Sequence, residues 1–307
     1  MKHYTHMYIA HKGIEFLYNA MKGITYRNGR TLPTKKRNRF RDLAGDLQRI
    51  LRSHIDRIFE ASWAPDDIIN DKSVFHVFKL FKADEFDDYT DFVQQEHVVG
   101  GETYYRAKNG GGLPYKVDHL ARVLADMLKL RNFNDIFAME QIAYQFFLLS
   151  HYIVDAHVPM HCDIRDDKPG SRKPALGRYY DGKWHGVIEK RWEDACTPAA
   201  VAEGIITKER ENINVDANDD TPLVTFGIKK DVSEIPAVCL QPGHLMGQMI
   251  KTCVASKERN RLLFPVADPS ACDKGYLTAA TREIFSDAIG SVISVWMCIW
   301  YAANEGD

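Results

Sequence analysis

The 307-residue chain lacks most of what marks a stapled miniature domain, a membrane protein or an electrostatic nucleic-acid binder. Its six cysteines, Cys162, Cys196, Cys239, Cys253, Cys272 and Cys298, show no paired metal-ligand spacing. An even count in a chain this long does not imply a disulfide framework. Residues 1–20 hold no continuous apolar stretch behind a basic start, so no signal peptide is read there. Taken literally, with Met1 as the native start, this places the protein in the cytoplasm; a leader removed ahead of Met1 makes it secreted instead. The longest mostly apolar stretch, Ala288 to Ala303, is interrupted by Gly290, Ser291 and Ser294. It is too short to span a bilayer comfortably and reads as a buried core helix, so no transmembrane segment is expected. A net charge of -2 supplies no global attraction for nucleic acid or anionic membrane. There is no internal repeat, no low-complexity tract and no sustained alternating strand pattern.

Apolar residues at helical spacing dominate instead. The chain is 45% hydrophobic and 11% aromatic, enough to bury a large core. Helical periodicity is read at 7–21, 40–60, 115–131, 135–157, 184–194, 241–257 and 277–303, giving an all-α fold class. Gly100-Gly101 and Gly110-Gly111-Gly112 bracket what reads as a flexible insertion, while 162–183 and 209–238 read as loops.

The most informative segment is His151-Tyr-Ile-Val-Asp155-Ala-His157-Val-Pro159-Met-His161, followed by His185-Gly-Val-Ile-Glu189. Each His-x-x-x-acid pair places imidazole and carboxylate one turn apart on one helix face. A lone pair of this kind is usually a surface contact. With 12 histidines and 42 acids, however, a His, an acid four later and a His six after that should arise by chance roughly 0.07 times per chain. Phe146-Phe147-Leu148-Leu149 and Ile153-Val154 put the first pair in a core helix, where a His and an Asp need partners or an ion. Pro159 cannot continue that helix normally, so the chain turns and brings His161 back over the site. Neutral imidazole with carboxylate suits zinc, and several carboxylates among the ligands favour a catalytic cluster over a closed structural site.

These residues carry a family resemblance. Leu149 to His161, with Trp184-His-Gly-Val-Ile-Glu189, resembles the trinuclear zinc enzymes that include bacterial phospholipase C and the single-strand-specific nucleases of fungi and plants. Thr5-His6-Met-Tyr-Ile-Ala-His-Lys-Gly-Ile-Glu-Phe-Leu17 looks like the start of glycosylphosphatidylinositol-specific phospholipase D of the same superfamily, and Ala61-Ser-Trp-Ala-Pro-Asp66-Asp67 with His76 resembles the block completing its first metal site. The resemblance implies that Asp66 or Asp67, His76, His151 and Asp155 hold one zinc, and that His161, His185 and Glu189 hold a second. A third would use His6, Asp155 as a bridge, and the amino nitrogen and carbonyl oxygen of Met1, with His3 as a fallback ligand. Relatives generally begin at a tryptophan exposed by signal cleavage, whereas this chain begins Met1-Lys2-His3. Because the ligands run from residue 6 to residue 189, residues 1–307 are read as one zinc-dependent phosphodiesterase-like domain.

The implied activity is hydrolysis of a phosphodiester by a water activated at two or three Zn2+ ions, with Asp155 as the bridge and the uncoordinated member of Asp66 and Asp67 orienting or deprotonating that water. A phospholipid head group is the preferred substrate, because the amino-terminal and His151–His161 blocks look closer to the lipases. The alternatives are a single-strand-specific nuclease or nucleotidase on the same cluster, and a non-catalytic zinc-stabilised binding protein. Tyr179, Tyr180 and Trp184 could serve lipid or base, or merely pack. Arg27, Arg30 and the run from Lys35 to Arg41 read as a solvated helix start before a phosphate-docking surface. His157 is read equally as an outer hydrogen-bond donor or as surface, and His11 as a packed core residue. The sequence carries no reading of oligomeric state.

Overall fold

A computed structural model describes residues 3–21, 33–86, 89–164, 183–202, 243–263 and 274–305. The described residues form a mostly helical bundle with one small sheet, as the all-α expectation has it. Helix α1 runs His3–Ala20, α2 Thr34–Ser53, α3 Ile58–Ala64, α4 Lys72–Phe75, α5 Leu113–Asn134, α6 Met139–Asp155, α7 Pro159–Cys162, α8 Lys183–Ala202, α9 His244–Leu263 and α10 Lys274–Glu305.

The helices form where apolar residues recur every three or four positions. Met7, Ala10, Ile14 and Leu17 line the buried stripe of α1, and Phe40, Leu43, Ala44, Leu47 and Leu51 that of α2. One continuous cluster of buried side chains runs from Met7 to Trp300, each large aliphatic member contributing about 1.5–3 kcal/mol of transfer free energy. Its centre is α6, buried at every residue from Phe146 to Asp155. Trp296 of α10 meets Phe146 edge-on and donates its indole N–H to the Phe146 carbonyl at 3.0 Å. The window Ala280–Asn304 of α10 is long and apolar enough to cross a membrane, but 72% of it is buried within the fold, so packing accounts for its apolar character.

Two expectations change. The helix read at 40–60 breaks at His54 (φ -121°, ψ 28°), continues as one 3-10 turn at Ile55–Arg57, and resumes as α3. The apolar stripe continues across the break, so periodicity does not register it. The glycine-bracketed insertion is a sheet rather than a flexible loop: β1 Leu80–Phe81, β2 Val93–Val99 and β3 Glu102–Ala107 pair antiparallel in the order β1-β3-β2. Gly100 and Gly101, at φ 62° and 83°, form the tight β2–β3 hairpin turn that favours glycine at both places. The strand signal is weak because β2 is buried at none of its positions and carries Gln-Gln-Glu-His where an alternating stripe would lie. Among the cysteines, Cys162, Cys196 and Cys253 are buried thiols outside any disulfide, while Cys298 is disulfide-bonded.

Gly110 and Gly111 serve close backbone approach. Gly111 has φ 81°, and a Cβ there would overlap the Val77 carbonyl oxygen, whereas one on Gly101 meets nothing within 4 Å. Gly111→Ala should therefore cost about 3 kcal/mol or more, combining strain with a backbone clash, and Gly101→Ala only about 1–2 kcal/mol from strain alone. Denaturant unfolding of the two variants measures the difference, and equal losses would contradict the packing role.

Candidate metal centre

The last turn of α6 brings His151 and Asp155 into the core, and three other segments close around them. Helix α1 carries His6; α3 ends at Pro65, and the π turn Pro65–Ile69 with α4 delivers Asp66 and His76; Pro159 opens α7, which carries His161. Asp155 is fully buried and meets four imidazoles. Its Oδ2 lies 2.9 Å from His76 Nδ1 and 3.3 Å from His151 Nε2, while Oδ1 lies 3.3 Å from His161 Nδ1 and 3.4 Å from His6 Nε2. Beyond His161, on α8, His185 Nε2 sits 3.1 Å from His161 Nε2 and 2.9 Å from Glu189 Oε1.

The hydrogen bonds on the far sides of two rings assign their tautomers. His151 Nδ1 is 2.6 Å from the Ser62 carbonyl oxygen, which can only accept, so Nδ1 carries the proton and Nε2 of the neutral ring a lone pair. His76 Nε2 donates to Asp71 Oδ1 at 2.7 Å, which leaves Nδ1 of the neutral ring a lone pair. Those two nitrogens face each other at 3.1 Å, with Asp66 Oδ1 3.4 Å and Asp155 Oδ2 2.9 Å from His76 Nδ1. Acceptors therefore converge on one point, where only a cation or a proton can sit. Burial opposes charge on His76, yet its bonds to Asp155 and Asp71 and the nearby Asp66 raise its pKa above the ordinary histidine value. A proton there satisfies part of the arrangement; a divalent ion satisfies all of it.

His6 makes the same point differently. Burial and then the neighbouring His151 push its pKa well below the usual value, so it is neutral, and neither ring nitrogen makes a well-formed hydrogen bond among the described residues, Asp155 Oδ1 standing 3.4 Å from Nε2. Burying an imidazole in that state costs about 1–3 kcal/mol per unsatisfied polar group, which coordination would recover. Burial would by itself raise the pKa of Asp155, yet it lies well below the ordinary carboxylate range because of its interactions with its surroundings, the imidazoles of His161, His151 and His6 among them. Three ligand groups result: His6, His151 and Asp155; Asp66, His76 and His151; and His161, His185 and Glu189. Their mix of imidazole nitrogen and carboxylate oxygen fits zinc.

Of the acidic pair, Asp66 is the one turned to His76; Asp67 faces outward, 3.2 Å from His3 Nε2. Met1, Arg27, Arg30, Tyr179 and Tyr180 lie outside the described residues, as does the side chain of Trp184. His157 is neither ligand nor surface: it is buried, 2.8 Å from the Ser291 hydroxyl. Within the basic run, Arg41 donates to the Tyr18 hydroxyl at 2.9 Å and covers the Tyr18 ring, tying α2 to α1.

Two residues that the sequence did not single out support the rings. Asp71 accepts from His76 through Oδ1 and from the Tyr152 hydroxyl, at 3.1 Å, through Oδ2. Glu193, two turns beyond His185, accepts the backbone N–H groups of Tyr4 and Thr5 at 3.0 and 3.1 Å, anchoring the start of α1 to α8. A spacing rule finds Glu193, which continues the i, i+4 series from His185 and Glu189, but Asp71 has no such signal. A cavity of about 510 Å³ opens beside the cluster, lined by His3, Asp66, Lys72, His76, His161, His185 and Glu189 among others.

No family model and no curated protein matches the chain. The fold is similar to the crystal structure of Clostridium perfringens alpha-toxin isolated from avian strain SWCP, with a TM-score of 0.51 at 14% identity. The likeness covers 99% of this chain and 64% of that one, so the chain spans about two thirds of the toxin's length.

Asp71→Asn tests the tautomer argument. An amide can turn a donor toward His76 Nε2 and favour the wrong ring proton, so affinity for metal at the Asp66–His76–His151 group should fall about 10–100-fold. Competition with a chelator measures it, and wild-type affinity in the variant would remove Asp71 from the site.

Proposed function

We propose that the protein is a metal-dependent hydrolase, that its metal is zinc, and that its substrates are phosphodiesters. The observation that carries this reading is Asp155, buried among four imidazoles from four chain segments with a solvent-connected cavity alongside. That cavity also favours catalysis over a closed structural site, because the His161–His185–Glu189 group and His76 form part of its wall. Zinc would lower the pKa of a water and offset negative charge gathering on the phosphoryl oxygens. His76, His151, Asp66 and Asp155 would hold one ion, His161, His185 and Glu189 a second, and His6 with Asp155 and Met1 a third. Asp67, left out of the ligand groups and half-exposed beside His3, is assigned to orient the attacking water and take its proton.

Within that class, the reading is phospholipase C-like action on a lipid head group. It is supported by the lipase-like motifs at 5–17 and 149–161 and by a fold shared with the alpha-toxin.

Elemental analysis of the purified protein should find at least two tightly held zinc ions per chain, and fewer would contradict the cluster. Asp155→Asn should abolish hydrolysis of bis-p-nitrophenyl phosphate and lower the metal count, whereas His157→Ala should keep the metal and only weaken the fold. Phosphatidylcholine and single-stranded DNA, assayed across a salt series, separate the finer readings. DNA cleavage that falls steeply with salt, with no action on lipid, would replace the lipase assignment and leave the metal chemistry standing.

A further inference from the structure

The segment Val77–Leu80 leaves His76 and runs between two neighbours. On one side are the glycines: Lys79 N donates to the Gly110 carbonyl at 2.7 Å, and Ala107 N to the Lys79 carbonyl at 3.1 Å. On the other is α7. Phe78 N donates to the carbonyl oxygen of His161 at 3.0 Å, and Leu80 pairs in parallel with Asp163. Lys79 adds its side chain to this seam. Its Nζ is buried and donates to the carbonyl oxygens of Met160, at 2.7 Å, and Asp163, at 3.4 Å, one before and one two places after His161.

A buried lysine is rare and costly without strong partners, and here the carbonyls about a single helical turn are among them. A four-residue helix satisfies none of its last carbonyls internally and has almost no stability of its own. Helix α7 is therefore held from outside. Behind it the clamp continues: Asn260 donates to the Asp163 carboxylate at 3.2 Å, and Lys257 pairs with Glu85 at 2.8 Å, both side chains fully buried. None of these residues belongs to a ligand group or lines the cavity.

We propose that Lys79 is a positioning residue for His161. Through the carbonyls that flank it, Lys79 sets where the His161 ring stands relative to His76, three residues earlier on the same segment, and so keeps two ligand groups in register about Asp155. Ligands held to within about 0.5 Å bind and looser ones do not, so a shift of one backbone turn is enough to matter. The proposal rests on the metal reading, but Lys79 touches no ligand atom and its effect is separable.

The test compares zinc content and chelator-competition affinities for the wild-type protein, Lys79→Met, Lys79→Gln, and His185→Ala as the reference for a missing second group. Lys79→Met should keep the Asp66–His76–His151 group at wild-type affinity and lose about 10–100-fold at the His161–His185–Glu189 group; Lys79→Gln, with one donor on a shorter stem, should fall between. Wild-type affinity at both groups, or equal loosening of both, overturns the proposal, the second outcome marking a general packing role. If Lys79→Met does not fold, Lys79→Gln carries the same readings, and failure of both to fold assigns Lys79 to core stability and overturns it. Fewer than two zinc ions in the wild-type protein overturns the metal reading itself, which is seen before any variant is compared.

Discussion

Hydrogen-bond acceptors pointed at one another in a dry interior repel, and that constraint organises this protein. The nitrogens of His151 and His76 that face inward have given their protons to the outside of the cluster, one to the Ser62 carbonyl and one to Asp71. What remains at the centre is lone pairs and carboxylate oxygens. Leaving a charge buried without a counterion costs several kcal/mol, comparable with the whole stability of a domain. The fold can deliver Asp155 to this place only if something positive meets it. Histidines from α1, the end of α4, α6 and α7 meet it there, in groups that could hold a divalent ion.

The backbone elements exist to bring those rings together from distant parts of the chain. Helix α6 is buried over its whole carboxy-terminal half because Phe146, Phe147, Leu149, Ile153 and Val154 leave it no exposed face. Its carboxy-terminal turn is then carried into the core by packing alone. Pro159 ends the run and starts α7, which returns His161 to Asp155. Glu193 ties the opening turn of α1 to α8, so His6 and the His185–Glu189 pair are carried on two helices that share a carboxylate.

Much of this was legible in the sequence, and the limits are physical. Helical periodicity marks an all-α chain, and the His-x-x-x-Asp and His-x-x-x-Glu spacings put candidate ligands one turn apart before any coordinates are known. The choice between Asp66 and Asp67 was not legible, because it depends on the π turn at Pro65–Ile69, which directs neighbouring side chains differently from an α-helix. The sheet was obscured by polar residues on β2. The Ser62 carbonyl is backbone and has no signature, and Asp71 lies five residues before His76, a separation that no regular helix uses to pair side chains. Arg41 read as part of a basic run because its partner, Tyr18, is twenty-three positions away.

The position of Asp155 as the last residue of α6 has one more effect. A helix accumulates partial negative charge at its carboxyl end, equivalent to roughly half an elementary charge and felt within the last turn. His151 and Asp155 stand in that turn. The carboxylate and the negative pole of the helix therefore act together at the centre, while the cavity wall carries both signs, with Asp66, Glu189 and Glu193 beside Lys72. The buried centre is thus attractive to cations. A cation held there would offset both the carboxylate and the helix pole, and so weaken the negative field at the mouth of the cavity.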